Sequence, residues 1–275
     1  MSAMLRGSLS GIGKPRKRKF NDSFLTEITL EPLPEIPNDT KAVLDHLTQM
    51  FPREKFAFKL PPIVMKHQLY SILEDKTVVD RELNSLRDNG SIRFFKLDSG
   101  TDEFAIIYTQ DYVDHVKACA GARGHGENPL VQKFLTSVLP EIKDVSIQKE
   151  KTKEVILNDQ MVTVLVNLGV LNVRDVKSWW ISIPGSALFM KSLFAGRKAV
   201  LSLIRKRKFK EIFEMELEQR NINYHSKLGM KYHIHDLIGA DLLTRVPTTG
   251  GVILRYTGAD TKRARTKKVT SKSIL

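Results

Sequence analysis

The chain is poor in cysteine, in long apolar runs, and in acidic residues where its basic residues concentrate. Cys119 is the only cysteine among 275 residues. A disulfide within the chain is therefore impossible, and cysteine-based zinc ribbons and fingers are excluded. A reducing compartment fits this usage. No apolar run approaches the roughly 20 residues of a membrane-spanning helix, and the first residues carry no apolar segment of the secretory type. The parts of a phosphoryl-transfer site are also missing. GARGHG at 121–126 has glycines at the wrong spacing and does not lie between two β-rich runs. Asp241, not asparagine, stands five residues beyond Asp236 in HIHD, and DFG and APE strings are absent. Near the N-terminus, Gly13-Lys14 has Ser8 where a phosphate-binding loop needs its first glycine, and Pro15 where it needs Ser or Thr. The histidines have neither HExxH spacing nor cysteine partners, so no catalytic residue, metal site or cofactor is expected. His233 and Asp236 read as helix packing and capping residues, and Cys119 as a core residue.

Positive charge is abundant: the formal net charge is +13 and the pI near 9.7. It is unevenly spread. Residues 39–126 carry 12 cations against 13 acids and residues 127–185 carry 7 against 7, whereas residues 186–257 carry 13 against 6 and residues 258–275 carry 6 against 1. The first 20 residues hold 6 cations and no acid. A neutral middle flanked by basic segments points to a polyanionic partner, nucleic acid before anionic membrane. Lys14, Arg16, Lys17, Arg18 and Lys19 form a cluster of the nuclear-import type, and a disordered electrostatic arm is the competing reading.

The organisation is read from periodicity. Residues 1–38, with the proline-rich EPLPEIP, lack sustained periodicity and are expected to be a disordered arm. Val43, Leu44 and Leu47 predict a short helix, and LPPIV is expected to open a second. TVVDRELNSLRDNG predicts a third, with Thr77 as N-cap and Asn89-Gly90 as its stop. SIRFFKL and EFAIIYT are β-rich runs joined by DSGTD. The order returns: LVQKFLTSVLP as a helix stopped by Pro140, NDQMVTVLVNLG as a helix ending at Gly169, then LNVR and SWWISIP as a hairpin. SIQKEKTKEVI at 146–156 fits helix and strand equally poorly. A third copy is expected from near Gly196, with YHIHDLIG as its last helix and DLLTRV and GVILRY as its hairpin. Gly90, Gly169 and Gly239 lie 79 and 70 residues apart, a spacing suited to small domains. Helix–helix–helix–hairpin at this size is the winged-helix plan. The expected class is thus α+β, mainly α: three tandem winged helices at 39–126, 127–185 and 186–257, between a basic arm at 1–38 and a basic tail at 258–275.

Within the third copy, LSLIRKRKFKEIFEMELEQR places five cations before four acids. One unbroken helix in that order would oppose its own macrodipole. Two helices meeting at Arg205–Lys208 would place the cations at one C-terminus and Glu211 and Glu214 at the next N-terminus.

The strings LPPIV, VQKFLTSVLP, VRDVKSWWISIPG, RKAVLSLIRKRKFKE and YHIHDLIGA resemble the serine/threonine kinase nineteen family, a misnamed winged-helix repair family, from about residue 41 to residue 257. The resemblance implies a nuclear DNA-binding protein of three winged helices that is not an active kinase. It further implies a role in transcription-coupled nucleotide excision repair, bridging stalled RNA polymerase II, the Cockayne syndrome repair proteins and the TFIIH helicase module. The tail TKRARTKKVTSKSIL lies past the stretch that the resemblance covers.

The predicted DNA contacts are Lys191, Arg197, Lys198, Arg205, Lys206, Arg207, Lys208, Lys210 and Arg220, cations able to follow a line of phosphates and release counterions. Arg245 and Arg255 flank the third hairpin. YHIHDLIG, the expected recognition helix, is mostly apolar, so little base readout is expected. Double-stranded DNA is the expected partner, with RNA as the alternative and a second copy of the chain as a further candidate. Trp179 and Trp180 are protein-interface candidates; strand alternation predicts one in the core and one exposed. The rival to this reading is a protein scaffold whose basic segments serve import and docking.

Overall fold

A computed structural model describes residues 39–97, 103–126, 128–148 and 157–258. The import cluster, the DSGTD loop, residues 149–156 of the ambiguous run, and nearly all of the basic tail lie outside these residues. The described chain is mixed α/β, with small antiparallel sheets.

In the first part, α1 (Thr40–Gln49) is capped by the Asp39 carboxylate and buries Val43, Leu44 and Leu47. LPPIV does not open a helix. Residues before prolines are steered to extended backbone, and Val64–Met65 form a short strand, β1, followed by one helical turn, α2 (Lys66–Leu69). The Gln68 side chain turns back to accept from the Met65 amide at 2.8 Å. In α3 (Lys76–Asp88) the N-cap is Asp75, not Thr77: its carboxylate accepts from the amides of Thr77 and Val78 at 2.9 and 3.0 Å. Strands β2 (Ile92–Lys96) and β3 (Phe104–Tyr108) pair as expected, and β1 adds to the free edge of β3, giving the order β1-β3-β2. An unforeseen helix, α4 (Thr109–Ala122), follows, burying Tyr112, His115, Val116 and Ala120 at helical spacing.

Next come α5 (Pro129–Lys133), a π-helical turn (Phe134–Val138) and α6 (Leu139–Glu141). The helical stretch ends at Glu141, one residue past Pro140, in keeping with the expected proline stop. Pro140 lies just after the π-helical turn, in the last helical residues of the stretch. Ser146–Gln148 form β4, which settles the ambiguous run in favour of strand for those residues. Helix α7 (Asp159–Leu168) is capped by Asn158 and ends at Gly169, whose φ of 76° is the left-handed C-cap that glycine adopts at low cost. Strands β5 (Leu171–Asp175) and β6 (Ser178–Ile181) form the hairpin, with sheet order β4-β6-β5.

In the last part, α8 (Ser186–Arg205) is a single 20-residue helix, and Gly196 lies inside it, not at the start of a copy. The two-helix reading of 201–220 holds in part: α8 ends at Arg205 and Glu214 opens a second helix, but Glu211 lies on a strand between them. After the turn that closes α8, Glu211–Phe213 form strand β7, with Ile212 buried and its neighbours outward, and Glu214–Glu218 form the short helix α9. Apolar spacing in so short a run does not separate helix from strand. Helix α10 (Met230–Gly239), β8 (Leu243–Thr248) and β9 (Gly251–Tyr256) complete the sheet β7-β9-β8.

The buried side chains form three clusters. One lies around α1, α3 and the first sheet. One lies among α8, α10 and the third sheet. The largest joins Phe51, Met65 and α4 to the α5–β6 region, and reaches Phe189 and Leu193 on α8 and Tyr232 on α10. This cluster thus draws residues from all three expected copies. Arg93 adds a polar tie: from β2 it donates to the carbonyls of Ile142 and Leu139 at 2.7 and 2.6 Å, satisfying the end of α6.

Candidate nucleic-acid interface

The expected recognition helix is an internal one. On α10, Met230, Tyr232, His233, Ile234, Asp236, Leu237 and Gly239 are buried. Two close backbone approaches seat it. A Cβ on Gly239 would lie 1.8 Å from the His67 carbonyl oxygen, so only glycine permits α10 to rest on α2; a Cβ on Gly196 would lie 2.0 Å from Nε2 of His233, so α8 and α10 cross there. A groove-reading role for YHIHDLIG does not fit this placement, because its side chains are committed to the core.

Arg197 follows the same logic. It is buried, and its Nε and Nη2 donate to Asp236 at 2.6 and 2.7 Å, while Nη1 donates to Glu103 at 3.0 Å. His67 Nε2 lies 2.8 Å from Asp236 Oδ1. Burial alone would raise the Asp236 carboxyl, but Arg197 beside it holds it far below the usual carboxylate range. Arg197 is therefore removed from the predicted phosphate contacts: its charge is already matched inside the protein. His233 packs and donates or accepts at Ser226 (2.9 Å), as expected of a packing residue, whereas Asp236 is an ion-pair hub, not a cap.

The remaining candidates sort by residue type. Lys191, Lys198 and Arg205 recur every seven residues and share one exposed face of α8, roughly 10 Å apart along its axis. Lys206, Lys208 and Lys210 follow in the exposed turn. Cations also suit the negative end of α8. The arginines, by contrast, are engaged. Arg205 donates to the Tyr256 hydroxyl at 2.5 Å, with its guanidinium 4.5 Å above that ring. Arg207 and Arg220 share Glu216, whose carboxyl is lowered first by the Arg220 hydrogen bond and then by the Arg207 charge. Arg245 grips Glu214 with two nitrogens and donates to the Ser71 carbonyl, and Arg255 meets Glu211 at 2.5 Å. The acids of the 201–220 run are thus answered by Arg207, Arg220, Arg245 and Arg255, with Lys231 3.7 Å from Glu218. Lys191, Lys198, Lys206, Lys208 and Lys210 have no ion-pair partner among the described residues. The exposed apolar side chains of this region, Phe209, Phe213 and Met215, were not singled out as site residues; their signal was aromatic and apolar residues interleaved with charge.

The tryptophans depart from simple alternation, since both are half-buried. Trp179 packs on the largest core cluster. Trp180 lies between charges, with Lys96 Nζ 5.2 Å and the Arg174 guanidinium 4.3 Å from its ring centre, at the edge of a cavity of about 590 Å³ also lined by Asn172, Ser182 and Met190. Cys119 is only half-buried, 3.6 Å from His115, and burial raises its thiol above the usual range, the reverse of an activated nucleophile. Among the described residues no cluster of metal-ligating side chains occurs, and no helix is long and apolar enough to cross a membrane.

The family model described as inactive serine-threonine protein kinase 19 matches residues 35–256, which include every described element. The chain is 42% identical over 247 residues to winged helix repair factor 1 of Homo sapiens, covering 89% of this chain and 93% of that protein. The Mus musculus protein of the same name is 42% identical over 230 residues, 83% of this chain and 89% of its own length. The Xenopus laevis counterpart is 37% identical over 252 residues, 91% and 92% of the two chains.

Proposed function

This chain belongs to the inactive serine-threonine protein kinase 19 family, and from that premise we propose that it is a non-enzymatic, nuclear DNA-binding adaptor in DNA repair. The family description agrees with the lack of a phosphoryl-transfer motif set in the sequence. Relatives named as winged helix repair factors support the repair role and the winged-helix reading. Helices that precede a β-hairpin recur around each three-stranded sheet, which favours three tandem winged helices with boundaries near 39–126, 127–185 and 186–257. The placement in transcription-coupled excision repair, between stalled RNA polymerase II, Cockayne syndrome proteins and TFIIH, rests on the resemblance in sequence. Nuclear import would use Lys14, Arg16, Lys17, Arg18 and Lys19, outside the described residues.

The observation that carries DNA binding is the lysine set left over after the arginines have matched the acids. Lys191 and Lys198 on α8, then Lys206, Lys208 and Lys210, present a rail of exposed point charges suited to a phosphate backbone. With α10 committed to the core, contacts to phosphate position the protein without reading sequence. The test is affinity for a short duplex across salt concentrations, comparing the wild type with Lys206→Glu plus Lys208→Glu. These lysines make no ion pair among the described residues, so the variant should fold normally. The wild type should show a steep log–log salt dependence, and the variant should lose about two phosphate contacts, flattening the slope by about 2. An unchanged slope would move DNA binding elsewhere, and no duplex binding at low salt would favour a protein scaffold. For that second reading Trp180, with its flanking cations, is the docking candidate.

A further inference from the structure

We propose that the same basic surface prefers DNA with unpaired bases beside duplex, and that Phe209 is the platform on which such a base stacks. This rests on the DNA-binding reading above and adds a ligand class to it. Phe209 is 72% exposed at the crest of the turn between α8 and β7, with Lys206, Lys208 and Lys210 on either side in sequence. Lys208 Nζ stands 5.2 Å from the ring centre. Single exposed apolar side chains are ordinary; an aromatic ring with Lys208 near its face, in a turn that also carries Lys206 and Lys210, has a narrower use. A phosphate rail gains nothing from a phenyl ring, and inside intact duplex the base faces are already stacked. An unpaired base offers a free face, and its two flanking phosphates offer the charges that Lys206, Lys208 and Lys210 need. Aromatic stacking with cations following the backbone is the general chemistry of single-strand recognition.

The turn is also held in shape. The Arg207 amide donates to the Ile204 carbonyl and the Lys210 amide to the Arg207 carbonyl, both at 3.0 Å, and the Lys210 carbonyl accepts from Tyr256 of β9 at 3.0 Å. Lys210 itself sits at a left-handed φ of 55°, a conformation that a lysine keeps only where its surroundings fix it. The ring is thus presented by a fixed loop, and little conformational freedom remains to be lost when a base arrives. Phe213, 44% exposed on β7 beside Gly250 and Gly251, continues the apolar surface toward the tip of the β8–β9 hairpin.

The experiment measures binding of the full chain to three labelled DNAs at one salt concentration: a paired duplex, the same duplex with a short central mismatched bubble, and one of its single strands. The wild type should bind the bubble about tenfold tighter than the duplex. Phe209→Ala should abolish that preference with duplex affinity unchanged, Phe209→Trp should keep it, and Lys206→Glu plus Lys208→Glu should weaken all three DNAs. Equal wild-type affinity for bubble and duplex, or a preference that survives Phe209→Ala, overturns the stacking role and leaves duplex binding standing. No binding to any DNA at low salt overturns both readings. Binding of an acidic peptide that depends on Phe209, with DNA affinities untouched by Phe209→Ala, would make the ring a protein-docking residue and also overturns the proposal.

Discussion

Replacing Asp236 by asparagine tests the junction between α2, α8 and α10 at its centre. The Asp236 side chain is fully buried and receives three nitrogens: Arg197 Nη2 and His67 Nε2 on Oδ1 at 2.7 and 2.8 Å, and Arg197 Nε on Oδ2 at 2.6 Å. An asparagine amide has one oxygen to offer. Whichever way it turns, its NH₂ faces an N–H of Arg197, and the buried guanidinium loses its main counter-charge. Breaking a buried pair from one side costs about 3–5 kcal/mol. Glu103, 3.0 Å from Nη1 and partly solvated, retains some compensation, so the lower end, about 3 kcal/mol, is expected. In urea, with a slope near 3 kcal/mol per molar, that is a midpoint lower by about 1 M, read by tryptophan fluorescence. Arg197→Met combined with Asp236→Leu should cost less than Asp236→Asn alone, because it leaves no guanidinium facing an amide. A midpoint shift under about 0.3 M for the asparagine variant would refute the claim that this network holds α10 in place.

Gly239→Ala should destabilise by about 3 kcal/mol or more, since the new methyl meets the His67 carbonyl at 1.8 Å and backbone must move; a thermal midpoint near wild type would show that α10 does not rest on α2 as described. Acid should loosen the fold in a defined window. Burial lowers His233 and His235 to about 4, so both are neutral when folded; the stability they confer is complete above the unfolded value of about 6.5 and is lost as pH falls through about 4. Each contributes up to about 3 kcal/mol over that range, so urea midpoints should fall between pH 6.5 and 4, and His233→Gln should flatten the fall. Asp236, held low by Arg197, adds its loss only below about pH 4. Glu216→Ala releases Arg207 and Arg220 beside the lysine rail; duplex affinity at low salt should rise about threefold, and a fall would place that carboxylate in the binding surface.

Local chemistry was legible wherever one short segment decides the outcome. Asn158 and Gly169 frame α7 through side-chain and backbone bonds within a few residues, and the β-branched and aromatic residues of EFAIIYT and GVILRY mark strands whatever they pair with. Short elements were not legible. Val64–Met65 and Glu211–Phe213 are too brief to show a period, and each becomes a strand because a partner edge, β3 or β9, is there to take it. Thr77 was a sound local cap, but Asp75 carries the carboxylate that reaches two amides.

By itself the sequence determined that no disulfide forms within the chain and that the motif set of a phosphoryl-transfer site is missing, the concentration of positive charge after residue 186, and most helices and hairpins, because these depend on composition and on neighbours a turn or two away. Tertiary structure alone decided which cations remain for a partner. Arg197 meets Asp236 across 39 residues and Glu103 across 94, and Asp236 meets His67 across 169. No periodicity in a single segment encodes such distances. Only the folded topology brings α2, α8 and α10 within reach, turning an apparent DNA-binding arginine into a buried structural charge and leaving the lysines outside.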